Sequence, residues 1–262
     1  MGHARAKMGQ MAPGSIFYSF TTIAGICATA IVWRRFAPRR DGRTDPRFAA
    51  VYGGALAGAY LGAKVAFLVA EGWQHRHDWV ALASGHSVTG ALVGGVLGVE
   101  AVKSMVGLRA GTGDLFALTV PLALALGRIG CIAAGCCPGI ECEPAWWTIA
   151  DAHGHARWPA AAAELAFNLA FWAWALLATR RGWIPGQRFN AYLIAYGCFR
   201  FAHEFARDDA RWWGPLGGYH LAAAAIAATG IVLWMRRARL TPSQAASRPS
   251  PSGPPRSAAS RS

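Results

Sequence analysis

Seven apolar stretches recur along the chain, each near the ~17–25 residues that cross a bilayer as a helix. They occupy residues 16–33, 48–70, 87–106, 114–134, 159–178, 188–205 and 218–234 of the 262. One such stretch reads equally well as a buried helix of a soluble protein. Seven in succession, joined by short polar connections, do not. Several are rich in small residues, as in YGGALAGAYLG (52–62) and GALVGGVLG (90–98). Helices in a bilayer have no hydrophobic force between them, and small residues permit close backbone approach instead. The predicted fold class is therefore all-α, a polytopic membrane protein of about seven transmembrane helices.

Charge then orients the helices. Only 15% of residues are charged and 54% are hydrophobic, which excludes disorder for most of the chain. Six Cys in 262 residues are too sparse for a disulfide scaffold. The net charge of +13, taken alone, suits a nucleic-acid binder as well as a membrane protein. Position separates the two. Arg34, Arg35, Arg39, Arg40, Arg43 and Arg47 crowd the first connection, whereas the second holds only Arg76. Lys103 and Arg109 mark the third, and Arg157 is alone in the fourth. Arg180, Arg181 and Arg188 mark the fifth, and Asp208 and Asp209 offset Arg207 and Arg211 in the sixth. Arg236, Arg237 and Arg239 follow the last span. This alternation obeys the positive-inside rule. It predicts an outer N-terminus and a cytoplasmic C-terminus, with no nucleic-acid partner. Arg5 and Lys7 before the first span run against that orientation but are outnumbered.

The first span exceeds a signal-peptide core, and Arg34-Arg35 follows it instead of a small-residue cleavage site, so it reads as a retained helix. The expected organisation is a short tail at 1–15, a seven-helix domain at 16–235 and a basic, Pro/Ser-rich disordered cytoplasmic tail at 236–262.

Ionisable groups inside spans are costly and by default functional. Six stand out: Lys64, Glu100, Arg128, Glu164, Arg200 and Glu204. Arg200 and Glu204, four apart, share a helix face and can pair. The topology gathers Arg128, Glu164, Arg200 and Glu204, with His86 and Thr89, into one layer near the outer leaflet. Two guanidiniums from different helices there make a natural phosphate head-group site. The simpler reading is mutual pairing that fixes helix packing, and it applies most strongly to Lys64 and Glu100.

Cys131, Cys136, Cys137 and Cys142 cluster after the fourth span. On an oxidising face a structural disulfide is the plainest reading. C-x4-C-C-x4-C is not a standard zinc spacing, although His153 and His155 follow, and no C-x-x-C redox pair occurs. Cys27 and Cys198 read as ordinary small residues within spans, and the paired tryptophans Trp146-Trp147 and Trp212-Trp213 as outer interface anchors.

Four segments resemble the prolipoprotein diacylglyceryl transferases of bacteria. Gly127-Arg128-Ile129-Gly130-Cys131 through Gly135 and Gly139 is similar to that family's G-R-x-G-N-F-x-N-G-E-x-x-G signature. Gly85-His86-Ser87-Val88-Thr89-Gly90-Ala91 resembles its G-x-S-x-H-G-G segment. Arg157-Trp158-Pro159 to Glu164 resembles R-H-P-x-Q-x-Y-E. Tyr196-Gly197-Cys198-Phe199-Arg200-Phe201, with Glu204, Phe205 and Arg207, resembles Y-G-x-x-R-F-x-x-E-F-x-R. The departures are Thr89 for the family's His, Cys131 for its Asn and Cys136 for its Glu. Trp158, Ala161 and Ala163 stand where it has His, Gln and Tyr.

The resemblance implies a multi-pass enzyme of the bacterial inner membrane. It would move the diacylglyceryl group of phosphatidylglycerol to the lipobox cysteine thiol of a prolipoprotein, with no metal or cofactor. Catalytic roles are then expected for Arg128, Arg200, Glu204 and His86, the last because Thr89 cannot act as a base. Substrate contacts are expected from Arg128, Gly130, Cys131, Gly139, Thr89, Gly90, Glu164 and Arg207. Retained arginines beside lost polar groups suit a divergent paralogue. Two other classes stay open: a non-catalytic protein binding anionic lipid or lipoprotein, and a thiol or metal membrane protein built on the cysteines.

Overall fold

A computed structural model describes residues 13–246, except 38, 41, 42, 109, 110, 138, 152 and 210. It is mostly helical. In order come α1 (Pro13–Phe36), α2 (Pro46–Phe67), α3 (Trp79–Ser84), α4 (Val88–Met105), α5 (Gly113–Ala134), α6 (Ala160–Arg181), α7 (Arg188–Glu204) and α8 (Gly218–Ala246). Two antiparallel two-residue ladders interrupt them. One joins β1 (Arg39–Arg40) to β2 (Arg43–Thr44), and the other joins β3 (Ile149–Ala150) to β4 (Ala156–Arg157). Among the described residues, five helical segments are long and apolar enough to cross a membrane: Pro46–Gly72, Trp79–Met105, Gly113–Ala134, Ala160–Arg181 and Gly218–Arg239. The chain is a polytopic membrane protein. α7 is shorter, at 17 residues, and carries Arg188, Arg200 and Glu204.

Local sequence sets the helix ends. Asp45 caps α2 by accepting from the Arg47 amide at 3.0 Å, with Pro46 in the first turn. α5 stops at Gly135, whose φ of 61° is the left-handed conformation a side chain disfavours. α2 continues as one π turn, Leu68–Gly72.

The bundle is inverted relative to a soluble protein. Leu61, Val65, Val69 and Leu97 point outward, while the helix contacts use small residues. α2 packs on α4, α1 on α5, and α7 on α8. Gly54, Gly58 and Gly62 face Gly90, Gly94 and Gly98 across the α2–α4 seam. A Cβ on Gly94 would collide with the Gly58 carbonyl oxygen and the Gly62 Cα. Gly90 belongs to this seam.

Two of the six intramembrane charges find their partners apart from the other four. Lys64 Nζ donates to the carbonyls of Leu82, Ala83 and Gly85, satisfying the end of α3. Glu100 pairs with Lys103 at 2.9 Å. These two do not pair with each other.

At one end of the bundle Asp114 ties α5 to α7. Its carboxylate accepts from the Gly186 amide at 2.6 Å and from Arg188 Nη1 at 2.9 Å. The basic residues Arg180, Arg181 and Arg236 lie at the same helix ends. Helix α8 continues through 236–246, where a tail was expected, because Met235–Leu240 is a run of strong helix formers. The expected tail residues 1–12 and 247–262 lie outside the described residues.

Candidate active site

The opposite end gathers the remaining charges. Arg128 sits in the last two turns of α5, Glu164 in the second turn of α6, and Arg200, His203 and Glu204 in the last turns of α7. Arg207 and Asp209 follow in the connection to α8. An ionised carboxylate out of water requires paired charge and hydrogen bonds. Glu164, 1% exposed, has both. Its Oε2 accepts from Arg128 Nε at 2.8 Å, and the Tyr196 hydroxyl lies 3.5 Å away. Arg207 Nη1 and Arg200 Nε approach its Oε1 to 3.5 and 3.7 Å. Arg200 Nη1 pairs with Glu204 one turn later. Arg207 Nε donates to Asp209 at 2.8 Å.

Behind this layer, a polar chain holds α6 to α7. Asn168 Nδ2 donates to the Glu164 carbonyl at 2.8 Å, and the Tyr192 hydroxyl donates to Asn168 Oδ1 at 2.7 Å. In front, the connection after α5 folds across the cluster. Gly139 donates to the Trp158 carbonyl at 3.1 Å, Ile140 to that of Ala206 at 3.0 Å, and Trp158 Nε1 to His203 Nε2 at 3.0 Å. Arg157 bridges Asp151 and Asp208, each at 3.0 Å.

Charges outside the spans respond to these contacts. Burial works against the Arg207 charge, but Asp209 and Glu164 hold its pKa above the usual arginine value. Burial favours a neutral Asp209, and Arg207 overcomes this and lowers its pKa. Asp151 is held at about 2: partial desolvation would raise it, but the His153 and His155 amides and Arg157 stabilise the anion.

A cavity of about 540 Å³ opens in front of the cluster. Of the predicted site residues, His86, Thr89, Arg128, Cys131, Arg200 and Arg207 line it. Glu164 and Glu204 stand behind the guanidiniums, as counter-ions off the wall. Gly90, Gly130 and Gly139 also lie off it. Gly139 is wedged where a Cβ would sit 2.6 Å from the Trp158 side chain. Glu164 and Glu204 therefore back the site, while Glu71 and Asp209 share the cavity wall with the guanidiniums of Arg128, Arg200 and Arg207. Such fixed donors suit a phosphate group.

All six cysteines are free, so the disulfide expected in the cluster is absent. The local turn explains the proximity of Cys131 and Cys136 without one. Three departures from the family pattern, Thr89, Cys131 and Cys136, share the cavity wall with Cys137. Sequence reasoning gave no site role to three participants: Tyr196, which it placed only within the family-like segment, His203 and Asp209. Asp209 had read as a surface acid offsetting Arg207. His203 carried a usable signal, lying three residues from Arg200 on the same helix face.

Comparison with known proteins gives the family. The family model described as prolipoprotein diacylglyceryl transferase matches residues 14–236. The chain is 30% identical over 220 residues to phosphatidylglycerol–prolipoprotein diacylglyceryl transferase 2 of Clostridium perfringens (strain 13 / Type A), covering 76% of this chain and 83% of that protein. It is 25% identical over 214 residues to the transferase of Clostridium tetani (strain Massachusetts / E88), covering 74% and 81%. It is 36% identical over 129 residues to that of Cereibacter sphaeroides (strain ATCC 17025 / ATH 2.4.3), covering 42% and 40%. With residues 14–236 matched by the family model and a relative 30% identical over most of both chains, the chain belongs to the prolipoprotein diacylglyceryl transferase family.

Proposed function

We propose that this protein transfers the diacylglyceryl group of phosphatidylglycerol to the lipobox cysteine of prolipoproteins. The observation that carries the reading is the layer of Arg128, Arg200 and Arg207 on one cavity, held from behind by Glu164 and Glu204. The acceptor sulfur attacks the glyceryl carbon that bears the phosphate. A carbon–sulfur bond forms, the carbon–oxygen bond to phosphate breaks, and the electron pair leaves on the phosphate oxygen as glycerol phosphate. The guanidiniums receive that developing charge without reorganising, because their carboxylate partners already orient them. Glu204 positions Arg200, and His86 takes the proton of the acceptor thiol. Thr89, Gly90, Gly130, Cys131, Gly139 and Glu164 shape the pocket or its frame.

A second cavity of about 500 Å³, mainly apolar, shares Tyr52, Leu56 and Leu124 with the first. It offers room for lipid chains. The seven long helices span the bacterial inner membrane, with the N-terminus outside, the site near the outer leaflet and the 236–262 segment cytoplasmic. The alternation of basic residues supports this orientation, as do the exposed Trp146 and Trp213 at the arginine end.

The test is reconstitution of purified protein in phosphatidylglycerol vesicles with a lipobox peptide. The expected result is a diacylglyceryl mass gain on the peptide matched by glycerol phosphate release, absent with a Cys→Ser peptide or with phosphatidylcholine vesicles. Well-folded protein that binds the lipid and forms no product would replace this reading with a lipid-binding one.

A further inference from the structure

Beyond the part of Cys131 in shaping the pocket, the three thiols on the cavity wall have no task in the transfer. Their proximity is built into the chain. At the end of α5 the Gly135 amide donates to the Ile132 carbonyl at 3.2 Å, and the Cys136 amide donates to that of Cys131 at 3.1 Å. This is the Schellman arrangement, which turns the chain back so that the residue after the glycine meets the residue five positions earlier. Cys137 then adopts φ 59°, a left-handed conformation costly for a residue with a Cβ. The turn leaves the sulfurs of Cys131, Cys136 and Cys137 all within 4.8 Å of one another. Cys136 and Cys137 are 4.0 Å apart. In a tetrahedral zinc–thiolate site, bonds of about 2.3 Å place sulfurs about 3.8 Å apart. Small side-chain rotations therefore convert this triangle into three corners of a tetrahedron.

The surroundings suit such a centre. Three thiolates around a dication carry one net negative charge. Arg128 Nη1 donates to Cys131 Sγ at 3.7 Å, and Arg200 and Arg207 share the cavity. A hydrogen bond from outside the ligand set orients and tunes a metal-bound thiolate. Cys142, the fourth outer cysteine, is not part of the cluster. The fourth corner is thus left for a ligand from the cavity, the pattern of a catalytic rather than a structural site.

We propose that Cys131, Cys136 and Cys137 hold a zinc ion whose open position binds the acceptor thiol as thiolate. This deepens the transferase reading and rests on it. The reaction alkylates sulfur, and a thiol bound to zinc is deprotonated outright at neutral pH. The proton passes to His86 and on to solvent. The bound sulfur forms its bond to the glyceryl carbon while the carbon–oxygen bond breaks, and the electron pair leaves on phosphate. The neutral thioether is a weaker ligand than the thiolate and departs. The metal keeps its charge throughout, so no oxidant or reductant is needed. The centre thereby supplies acceptor activation where Thr89, Cys131 and Cys136 replace the family's His, Asn and Glu.

The experiment is an anaerobic cobalt titration of reduced, detergent-purified full-length protein, with parallel zinc analysis. Uptake of one equivalent with sulfur-to-cobalt charge-transfer absorption is expected. It should be lost in the Cys131→Ser, Cys136→Ser and Cys137→Ser variants and kept in Cys142→Ser and Cys198→Ser. Adding a lipobox peptide should raise the absorption by about a third, as a fourth thiolate joins three, and a Cys→Ser peptide should not. Three findings would overturn the inference: no metal uptake by protein with six titratable thiols, uptake indifferent to the three variants, or undiminished transfer by the triple Ser variant. The last leaves the transferase reading standing. Metal uptake with the peptide response but no lipid transfer would support the centre and overturn the transferase reading instead.

Discussion

Arg128 and Glu164 lie 36 positions apart on successive helices, and Arg128 Nε donates to the Glu164 carboxylate at 2.8 Å. That contact fixes the guanidinium facing the cavity before any lipid arrives. Preorganisation of this kind makes charge stabilisation catalytic, since donors fixed in advance need not reorganise in the transition state.

Arg128→Ala should lower transfer by about 10²–10³-fold, the usual loss for a donor to a developing anion. Arg128→Lys should recover little of it, because a compact ammonium lacks the planar fork that lets one guanidinium pair with Glu164 on one side and present further N–H groups to the cavity on the other. Turnover in phosphatidylglycerol vesicles measures both, and near-normal rates for Arg128→Ala would remove Arg128 from the mechanism.

Glu164→Gln should destabilise the bundle as well as the reaction. Breaking a buried pair from one side costs about 3–5 kcal/mol, and here Arg128, Arg200 and Arg207 all lose a counter-ion. Thermal unfolding in detergent should show a clear fall in midpoint, larger than that of Glu100→Gln, whose partner Lys103 lies away from the cluster.

The α2–α4 seam predicts a contrast between glycines. Gly94→Ala forces a Cβ against the α2 backbone and should sharply reduce folded yield, whereas Gly53→Ala meets nothing within 4 Å and should be silent. Size-exclusion profiles of the two variants distinguish this seam from a generic intolerance of substitution.

His86→Ala should lower transfer by about 10²-fold, the lower range for loss of a general base, without changing stability much. Full activity in this variant would assign the proton to another group on the cavity.

The outer connection should respond to acid in one direction. The Asp151 carboxyl is held at about 2, below the ~3.9 of an unfolded chain. Its stabilising contribution is therefore complete above about pH 4 and is lost as pH falls through 2. Exchange of the His153 and His155 amides should accelerate across that window, and Asp151→Asn should flatten the dependence.

Much of this architecture is legible along the chain. Apolar lengths, the small-residue runs of α2 and α4, and the Arg200–Glu204 spacing each follow from helix period and bilayer thickness. The glycine after α5 marks where that helix must end. Lys64 was ambiguous because its partners are backbone carbonyls, which leave no mark in sequence. Asp209 was read only as an offsetting charge and His203 was passed over, because a loop acid and a helix histidine acquire meaning only from what packs against them. The cysteines show the division most clearly. Sequence supplies six thiols and a nonstandard spacing, and on an oxidising outer face a disulfide was the plainest expectation. Sequence by itself determined the helical, membrane-spanning character of the chain and the identities of the charged residues, because helix period and the cost of burying charge act locally. Only the tertiary structure decided which charges face each other and that three sulfurs share a cavity wall, because those distances depend on how separate helices and a reversing turn pack together.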